Sequence, residues 1–261
     1  PVDSKNPFVI RKNIDRLAHL IRANNVDIVH ARSRAPAWSA YFAAQKTGAR
    51  FITTFHGTYN FGMPFKKRYN SIMTRGDRVI AISEFIARHI MDTYQTDPAR
   101  LRVIHRGVNF DIFDPAKVSA ERVIKLATDW RLPDGVPIIM LPGRLTRWKG
   151  QAVLIEALSL LGRDDVRCII VGSDQGRTRY TRRLQLLIDK FNLGSIVHIV
   201  GECRDMPAAL MLADVVVHAS TDPEAFGRVI VEAQAMGRPV VASDHGASRE
   251  LVEPGETGWL A

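Results

Sequence analysis

Two cations stand in a loop between a predicted strand and a predicted helix. Residues 142–150 read Pro-Gly-Arg-Leu-Thr-Arg-Trp-Lys-Gly, so Arg144 and Lys149 come just before the expected helix. A guanidinium can bind two phosphate oxygens and an ammonium acts as a point charge, while Gly143 allows close backbone approach. The loop can therefore clamp a pyrophosphate. It matches neither a P-loop nor GxGxxG, so a solvated loop with surface cations is the alternative.

Two carboxylates occupy a second predicted strand-to-helix segment. The run Glu-Ala-Phe-Gly-Arg-Val-Ile-Val-Glu begins at Glu224 and ends at Glu232. A spacing of eight would place both within about 80° of one helical face, where they can accept hydrogen bonds from hydroxyls on separate parts of one ligand. Backbone N–H groups around Gly227 can donate to a sugar. The alternatives are an acid that favours a helix N-terminus for Glu224 and a solvated helix position for Glu232.

Short apolar runs and amphipathic helices alternate along the chain and must position these residues. Apolar residues at positions 14, 17, 18 and 21 indicate the first helix. Strands are predicted at Val26–His30, Phe51–Phe55, Val79–Ile82, Leu101–Ile104, Ile138–Leu141, Cys168–Val171, Val197–Val200, Val215–His218 and Val240–Ala242. Further helices are predicted at 37–46, 66–75, 84–93, 150–161, 179–191, 205–213, 227–236 and 246–251, with 172–176 as a turn. This rhythm predicts parallel sheets with helices on both faces.

Turn-forming residues between 107 and 136 interrupt the alternation and divide the chain. We predict an N-terminal domain over 1–110, a linker over 111–136 with one helix near 119–129, and a C-terminal domain over 137–261. Ligands of doubly wound folds bind beyond the carboxyl ends of the strands. The loops that follow the strands of the C-terminal domain are therefore the first place to look for a site.

Charge and composition narrow the function classes. Of the 261 residues, 46% are apolar and 24% charged, which excludes a disordered, collagen-like or coiled-coil chain. Residues 1–110 hold 18 Lys and Arg against 7 Asp and Glu, while residues 111–261 hold 18 against 20. A basic half fits a polyanionic partner or is simply a solvated surface. Cys168 and Cys203 are too few for a disulfide framework and indicate a reducing compartment.

Taken together, these segments resemble the retaining glycosyltransferases of family 4, which have the GT-B fold. Further matches in the family's order are Phe55-His56-Gly57, Ala81-Ile82-Ser83-Glu84, Arg106-Gly107-Val108-Asn109 and the segment from Gly255 to Leu260. The resemblance covers nearly the whole chain. It implies two Rossmann-like α/β domains with doubly wound parallel sheets facing a cleft, the first on the acceptor side and the second binding a nucleotide sugar. Family members also have a first strand with a glycine-rich loop and final helices, so it implies that both ends are missing here.

The resemblance also implies roles for individual residues. Arg144 and Lys149 would neutralise the donor diphosphate, Glu224 would bind sugar hydroxyls, and Glu232 would bind the ribose. His56 would lie near the reacting sugar, the alternative being a strand-end histidine satisfied by the backbone. The candidate catalytic residues are thus His56, Arg144, Lys149 and Glu224. The candidate donor-binding residues are Gly143, Arg144, Lys149, Glu202, Cys203, Arg204, Glu224, Ala225, Phe226, Gly227, Arg228 and Glu232.

The implied function is transfer of a sugar, with retention, from a nucleotide-diphosphate sugar to a glycan or lipid-linked acceptor in bacterial envelope polysaccharide or lipopolysaccharide synthesis. We expect no cofactor and no metal, because no Asp-x-Asp motif appears where a metal would be needed, and no nucleic-acid partner. The alternatives are a GT-B nucleotide-sugar epimerase and a non-catalytic nucleotide- or glycan-binding module.

One segment of the basic half mixes apolar and basic residues. Phe61, Met63 and Phe65 could enter a lipid headgroup boundary while Lys66, Lys67 and Arg68 meet anionic lipid. Arg32 and Arg34, after the preceding strand, could face the same acceptor. We therefore expect a cytoplasmic protein that is peripheral on the inner face of the cytoplasmic membrane. The alternative is an ordinary loop whose aromatic residues pack on their own domain.

Overall fold

A computed structural model describes residues 6–59, 62 and 64–261. The chain divides into two compact units, Pro1–Arg106 and Gly107–Ala261. Each is a parallel α/β unit, and the predicted fold class is confirmed at this level. Within the described part of the chain, no helix combines the length and the apolarity that a bilayer span requires.

The first unit is a four-stranded parallel sheet in the order β1-β2-β3-β4. Its elements are α1 (Pro7–Ala23), β1 (Ile28–Ala31), α2 (Arg34–Thr47), β2 (Arg50–Phe55), α3 (Pro64–Asn70), β3 (Arg78–Ala81), α4 (Glu84–Tyr94) and β4 (Leu101–Val103). Helix α2 contributes small buried residues such as Ala37, Ala43 and Ala44, which let it pack closely. On the other elements, Phe51 and Phe55 of β2 and Ile86 of α4 fill the core.

The second unit is a six-stranded parallel sheet in the order β10-β9-β8-β5-β6-β7. Its elements are α5 (Ala120–Asp129), β5 (Ile138–Pro142), α6 (Gln151–Leu161), β6 (Arg167–Val171), α7 (Thr178–Lys190), β7 (Val197–Gly201), α8 (Met206–Leu212), β8 (Val215–His218), α9 (Arg228–Ala235), β9 (Val240–Ala242), α10 (Ser248–Leu251) and β10 (Gly258–Leu260). The strand order reverses between β5 and β8. Ligands of doubly wound sheets bind at such a switch point.

Alternation along the central strands builds a core on each face of this sheet. Met140 and Ile169 face one cluster, which includes Ile230 and Ala233 of α9. Leu141 faces the other cluster, which includes residues of α6 and α7. Successive strand side chains point to opposite faces, so strands buried on both sides read as continuous apolar runs, which is how the sequence revealed them.

Several predicted boundaries differ from the structure, and one strand was missed. Strand β1 starts at Ile28 and not at Val26, because the Val26 N–H bonds the Ile21 carbonyl at 2.9 Å and belongs to the turn that ends α1. The basic helix predicted over 66–75 is α3 followed by a 3-10 turn, Ser71–Thr74. The Ser71 hydroxyl donates to the Arg68 carbonyl at 2.7 Å, a local bond that competes with helix continuation. Strand β10 was not predicted, since three residues carry too little pattern.

The segment predicted as a linker carries α5, which lies in the second unit. Leu126 and Trp130 pack against the core on the α9 face, together with Phe113, Val118 and Leu132. Arg122 donates to both carboxylate oxygens of Asp205, at 2.9 and 2.6 Å, which ties α5 to the start of α8. This paired geometry is the strong form of a surface ion pair.

Candidate functional site

The loop after β5 is fixed against its neighbours by close backbone contacts. Gly143 N–H donates to the Val171 carbonyl at 2.8 Å, and Leu145 N–H to the Ser173 carbonyl at 3.0 Å. A Cβ on Gly172 would lie 1.9 Å from the Gly143 carbonyl oxygen, so only glycine fits there. Leu145 is buried beneath the loop. The carboxyl ends of β5 and β6 therefore present a rigid backbone surface.

A pocket of about 350 Å³ opens at these strand ends. Five predicted donor-binding residues line it, namely Gly143, Arg144, Glu202, Cys203 and Glu232. Sequence reasoning missed its other polar members, Ser173 and Gln175, which it left in a turn. They join the site because β6 lies beside β5 in the sheet. They were missed because strand order cannot be predicted from the pattern of the strands. Arg204, Ala225, Phe226, Gly227 and Arg228 are not among the lining residues found in the described chain.

Arg144 is the available cation of this pocket. Its side chain is exposed, and its guanidinium carbon lies 5.8 Å from the Trp148 ring centroid. Within the residues that the structure describes, no carboxylate forms an ion pair with it. A guanidinium in this state can bind an incoming dianion without first giving up a protein partner.

Lys149, in contrast, is engaged. Its ammonium forms a short ion pair with Glu224 Oε1, and each side chain is 13% exposed. The same oxygen accepts a hydrogen bond from Ser220 Oγ at 2.9 Å and lies 3.2 Å from His218 Nε2. Burial alone raises the pKa of Glu224, but the His218 hydrogen bond and the Lys149 charge outweigh it and bring the pKa to about 2. Glu224 is therefore a carboxylate at neutral pH.

Glycines bring Lys149 and Glu224 together. At Gly150 (φ +72°) a Cβ would lie 1.6 Å from the Ala219 carbonyl oxygen, so the two loops touch through backbone. At Gly246 (φ +63°) a Cβ would lie 2.8 Å from the Glu224 nitrogen, and Ala247 N–H donates to the Glu224 carbonyl at 3.0 Å. A side chain at either glycine would push the loops apart.

The two carboxylates do not share a helical face as predicted. Helix α9 begins at Arg228, capped by Gly227 (φ +87°), so Glu224 precedes the helix and turns toward Lys149 instead. Glu232 lies on α9, where Oε1 accepts bonds from the Arg228 guanidinium at 2.7 and 3.1 Å, and it lines the pocket. Glu232 thus lines the pocket, whereas Glu224 contacts Lys149.

His218 and Ser220 are site residues that sequence reasoning missed. Both are buried, and both contact the Glu224 carboxylate. A signal was present, because His218 ends the apolar run Val-Val-Val-His of β8. A polar side chain at the carboxyl end of a buried strand of a doubly wound sheet lies where ligands bind.

In the first unit, His56 follows β2 between two arginines. Its Nδ1 lies 2.8 Å from an Arg106 guanidinium nitrogen, and its Nε2 accepts from Arg32 Nε at 3.2 Å. The ring contacts are thus guanidinium groups, not the backbone. Burial lowers the pKa of His56 to about 4, helped by the charges of Arg106, Arg32 and His30. The imidazole is neutral at physiological pH.

We expect the His56 ring signals in NMR to stay constant from pH 8 down to pH 5 and to move only near pH 4. Because the folded pKa lies below the ordinary value of 6.5, protonation favours the unfolded chain. The resulting loss of folding stability is absent above pH 6.5 and grows as the pH falls toward 4. Arg106→Gln should raise the midpoint. A His56 midpoint near 6.5 in the natural protein would contradict this assignment.

The other residues predicted on the acceptor side lie around α3. Arg34 sits over the Tyr59 ring, 4.5 Å from its centroid, and donates to Asn70 Oδ1 at 3.0 Å. Phe65 is 79% exposed. Lys66, Lys67 and Arg68 are exposed beside it, while Phe61 and Met63 lie outside the described residues. Across the described ranges, no three His, Cys, Asp or Glu side chains gather as potential metal ligands.

Comparisons with known proteins show the family to which the chain belongs. The family described as glycosyl transferases group 1 matches residues 124–261, and glycosyltransferase family 4 matches residues 1–112. A solved glycosyltransferase from Rickettsia africae is 44% identical with a TM-score of 0.92, over 100% of this chain and 69% of that one. Anabaena HepE, solved with UDP and glucose, is 27% identical with a TM-score of 0.83, over 97% of this chain and 67% of that one.

A curated relative is the D-inositol 3-phosphate glycosyltransferase of Xylanimonas cellulosilytica. It is 33% identical over 193 residues, which are 72% of this chain and 46% of that protein. The chain thus spans about half the length of this relative.

Proposed function

Because the chain belongs to the family 4 glycosyltransferases and has the GT-B type of fold, we propose that it transfers a sugar from a nucleotide-diphosphate sugar to an acceptor hydroxyl. The observation that carries the proposal is Arg144, a cation without a carboxylate partner among the described residues, at the rim of the pocket beside the β5–β8 switch point. The similar HepE structure, which holds UDP and glucose, supports this choice of donor class.

In the proposed reaction the bond between the anomeric carbon and the diphosphate oxygen breaks. The acceptor oxygen bonds to the same face of that carbon, so configuration is retained, and the acceptor proton passes to the leaving diphosphate. Negative charge develops on the leaving group, and preorganised cations stabilise such charge most effectively. Arg144 supplies the first of these. Lys149 lies against Gly143 and supplies a second when its ammonium is shared between the phosphate and Glu224.

Glu224 is suited to hold the transferred sugar. The contacts from Lys149, Ser220 and His218 all use Oε1, so among the described groups Oε2 is left to accept sugar hydroxyls. Its low pKa keeps it an acceptor throughout the physiological range. Glu232 lines the pocket and accepts a hydrogen bond from Arg228, and we propose that it binds the ribose hydroxyls.

Nucleotide binding tests this proposal directly. Titrating UDP, GDP and ADP into the natural protein by calorimetry should show binding of at least one, with a matching rise in Tm. Incubation of the matching nucleotide sugar without acceptor should yield no isomerised sugar, which distinguishes transfer from epimerisation. Since the charge stabilisation comes from side chains, EDTA should leave turnover unchanged. A protein that binds none of the nucleotides would refute the donor assignment.

We also propose that the acceptor is a glycan or lipid-linked molecule of the bacterial envelope, reached from the cytoplasmic face. Helix α3 supports this, because it presents an exposed aromatic ring, Phe65, next to three exposed cations at 66–68. Rings and cations arranged in this way bind anionic membrane surfaces.

Co-sedimentation with anionic liposomes tests the membrane contact. Each cation near such a surface contributes about 1 kcal/mol, so replacing Lys66, Lys67 and Arg68 by Ser should weaken binding by about 100-fold. The matched control replaces three exposed arginines of α7, Arg179, Arg182 and Arg183, by Ser. Equal losses in both triple variants, or no binding by the natural protein at low salt, would contradict a contact through α3.

A further inference from the structure

A second polar pocket, of about 470 Å³, lies at the N-terminal end of α2 in the first unit. Its lining includes two cations, Arg34 and Lys66, a hydroxyl from Thr58 and the phenol ring of Tyr59, and no carboxylate from the described residues. The volume is within the ordinary range of small-molecule sites. A pocket with this lining is complementary to an anion.

The sequence around the pocket contains no acid that could neutralise it. No Asp or Glu occurs between Asp27 and Asp77, while the same stretch holds 8 Lys and Arg. All of the pocket's lining residues come from this acid-free stretch. Of its two cations, neither has a carboxylate partner within the described ranges.

Arg34 is oriented by neutral groups. Its guanidinium stacks on Tyr59, 4.5 Å from the ring centroid, and donates to Oδ1 of the buried Asn70 at 3.0 Å. A half-buried cation without a counterion is costly, yet these partners fix its position without removing its charge. A guanidinium held in this way is ready to bind oxyanions in a paired geometry.

The start of α2 adds to the same attraction. The helix has 14 residues, and the Ser33 side chain at its N-cap makes no capping bond. Its first backbone N–H groups have no partner within the helix itself, and they carry partial positive charge. The helix terminus and the two side chains thus converge on one volume.

We infer that this pocket binds a phosphate or diphosphate group of the acceptor. The inference rests on the proposed function, since it names the chemical class of the molecule that receives the sugar. The phosphate can belong to a lipid-linked acceptor or to a soluble sugar phosphate. The alternative is that Arg34 has only a structural role, in which case it stacks on Tyr59 and binds no anion.

Calorimetric titration of inorganic pyrophosphate tests the inference. An Arg144→Gln background weakens binding at the other candidate phosphate site. In that background Arg34→Gln should weaken pyrophosphate binding by at least about tenfold, the usual range for a lost charged hydrogen bond. The control is Arg88→Gln, which removes the same charge from an exposed position of α4. Equal affinities of the Arg34 and Arg88 variants would overturn the inference.

Lys66→Gln keeps the test decisive if Arg34→Gln proves unstable. Lys66 is exposed and its loss removes no packing, so its variant should fold normally and still bind pyrophosphate more weakly than the Arg88 variant. UDP affinity is measured in parallel without the Arg144 change. If the protein fails to bind UDP but the Arg34 variant still binds pyrophosphate more weakly, the donor proposal is contradicted. If UDP binds but the Arg34 substitution does not change pyrophosphate affinity, the acceptor-phosphate inference is contradicted.

The source of the phosphate is distinguished by two further probes. One is glucose 6-phosphate in solution, and the other is vesicles of phosphatidylcholine with or without phosphatidic acid. Binding that depends on Arg34 only with phosphatidic acid supports a lipid-borne phosphate, and dependence only with glucose 6-phosphate supports a soluble one. If Arg34→Gln changes the binding of neither probe and also leaves pyrophosphate binding unchanged, the site is overturned.

Discussion

The Arg144→Ala variant is expected to lose about 100- to 1,000-fold in turnover, the loss typical of removing one group that stabilises charge in a transition state. The side chain is exposed and forms no ion pair among the described residues, so the free energy of unfolding should change by less than about 0.5 kcal/mol. Release of the nucleotide from the donor in the presence of acceptor measures turnover.

The matched control for this variant is Arg147→Ala. Arg147 is exposed in the same loop but does not line the pocket. It should therefore retain nearly full turnover. If Arg144→Ala and Arg147→Ala have the same kinetics as the natural protein, Arg144 does not stabilise the leaving group.

Glu224→Gln is expected to separate catalysis from nucleotide binding. Turnover should fall by about 100-fold or more, because the carboxylate no longer accepts from sugar hydroxyls, while UDP affinity stays within a factor of about three. Glu232→Gln should mainly lower UDP affinity and have the smaller effect on turnover, since Glu232 lines the pocket and Glu224 does not. Loss of UDP binding in the Glu224 variant, with normal binding in the Glu232 variant, would reverse the two assignments.

The same substitution also tests the buried ion pair. Leaving Lys149 without its carboxylate should cost about 3 kcal/mol of unfolding free energy. The double variant Lys149→Met/Glu224→Leu should regain most of that stability and remain inactive. Because the folded pKa of Glu224 is about 2 and its ordinary value 4.5, the contribution is complete above pH 4.5 and is lost as the pH falls toward 2. The double variant should lack that loss, and denaturant unfolding at pH 7 and pH 3 measures it.

Much of the fold could be predicted because the central strands of the second unit are buried on both faces. Ile138–Leu141 and Val215–His218 were predicted as strands within one residue of their observed bounds. The loops that follow them were recognised as candidate sites on general grounds. The neighbourhood of β5 and β8 was not predictable, since strand patterns carry no information on strand order.

The site itself was therefore only half predictable. Arg144 and Glu232 could be chosen by side-chain chemistry, and they line the same pocket. The pairing of Lys149 with Glu224 could not be found in this way, because it joins positions 75 residues apart through two glycine contacts. His218 was overlooked although its place at the end of β8 was a signal, because its 3.2 Å contact with Glu224 is not visible in the strand pattern.

The switch in strand order also makes the two halves of the site depend on different strand contacts. Lys149 and Glu224 are 75 residues apart and meet only when β8 lies beside β5. Closing so long a loop has an entropic cost. The Arg144 loop, in contrast, rests on the neighbouring strand β6, to which β5 is joined more directly along the chain. The two candidate phosphate-binding cations therefore depend on different parts of the sheet, and local opening of β8 would separate Lys149 from Glu224 without removing the support of Arg144.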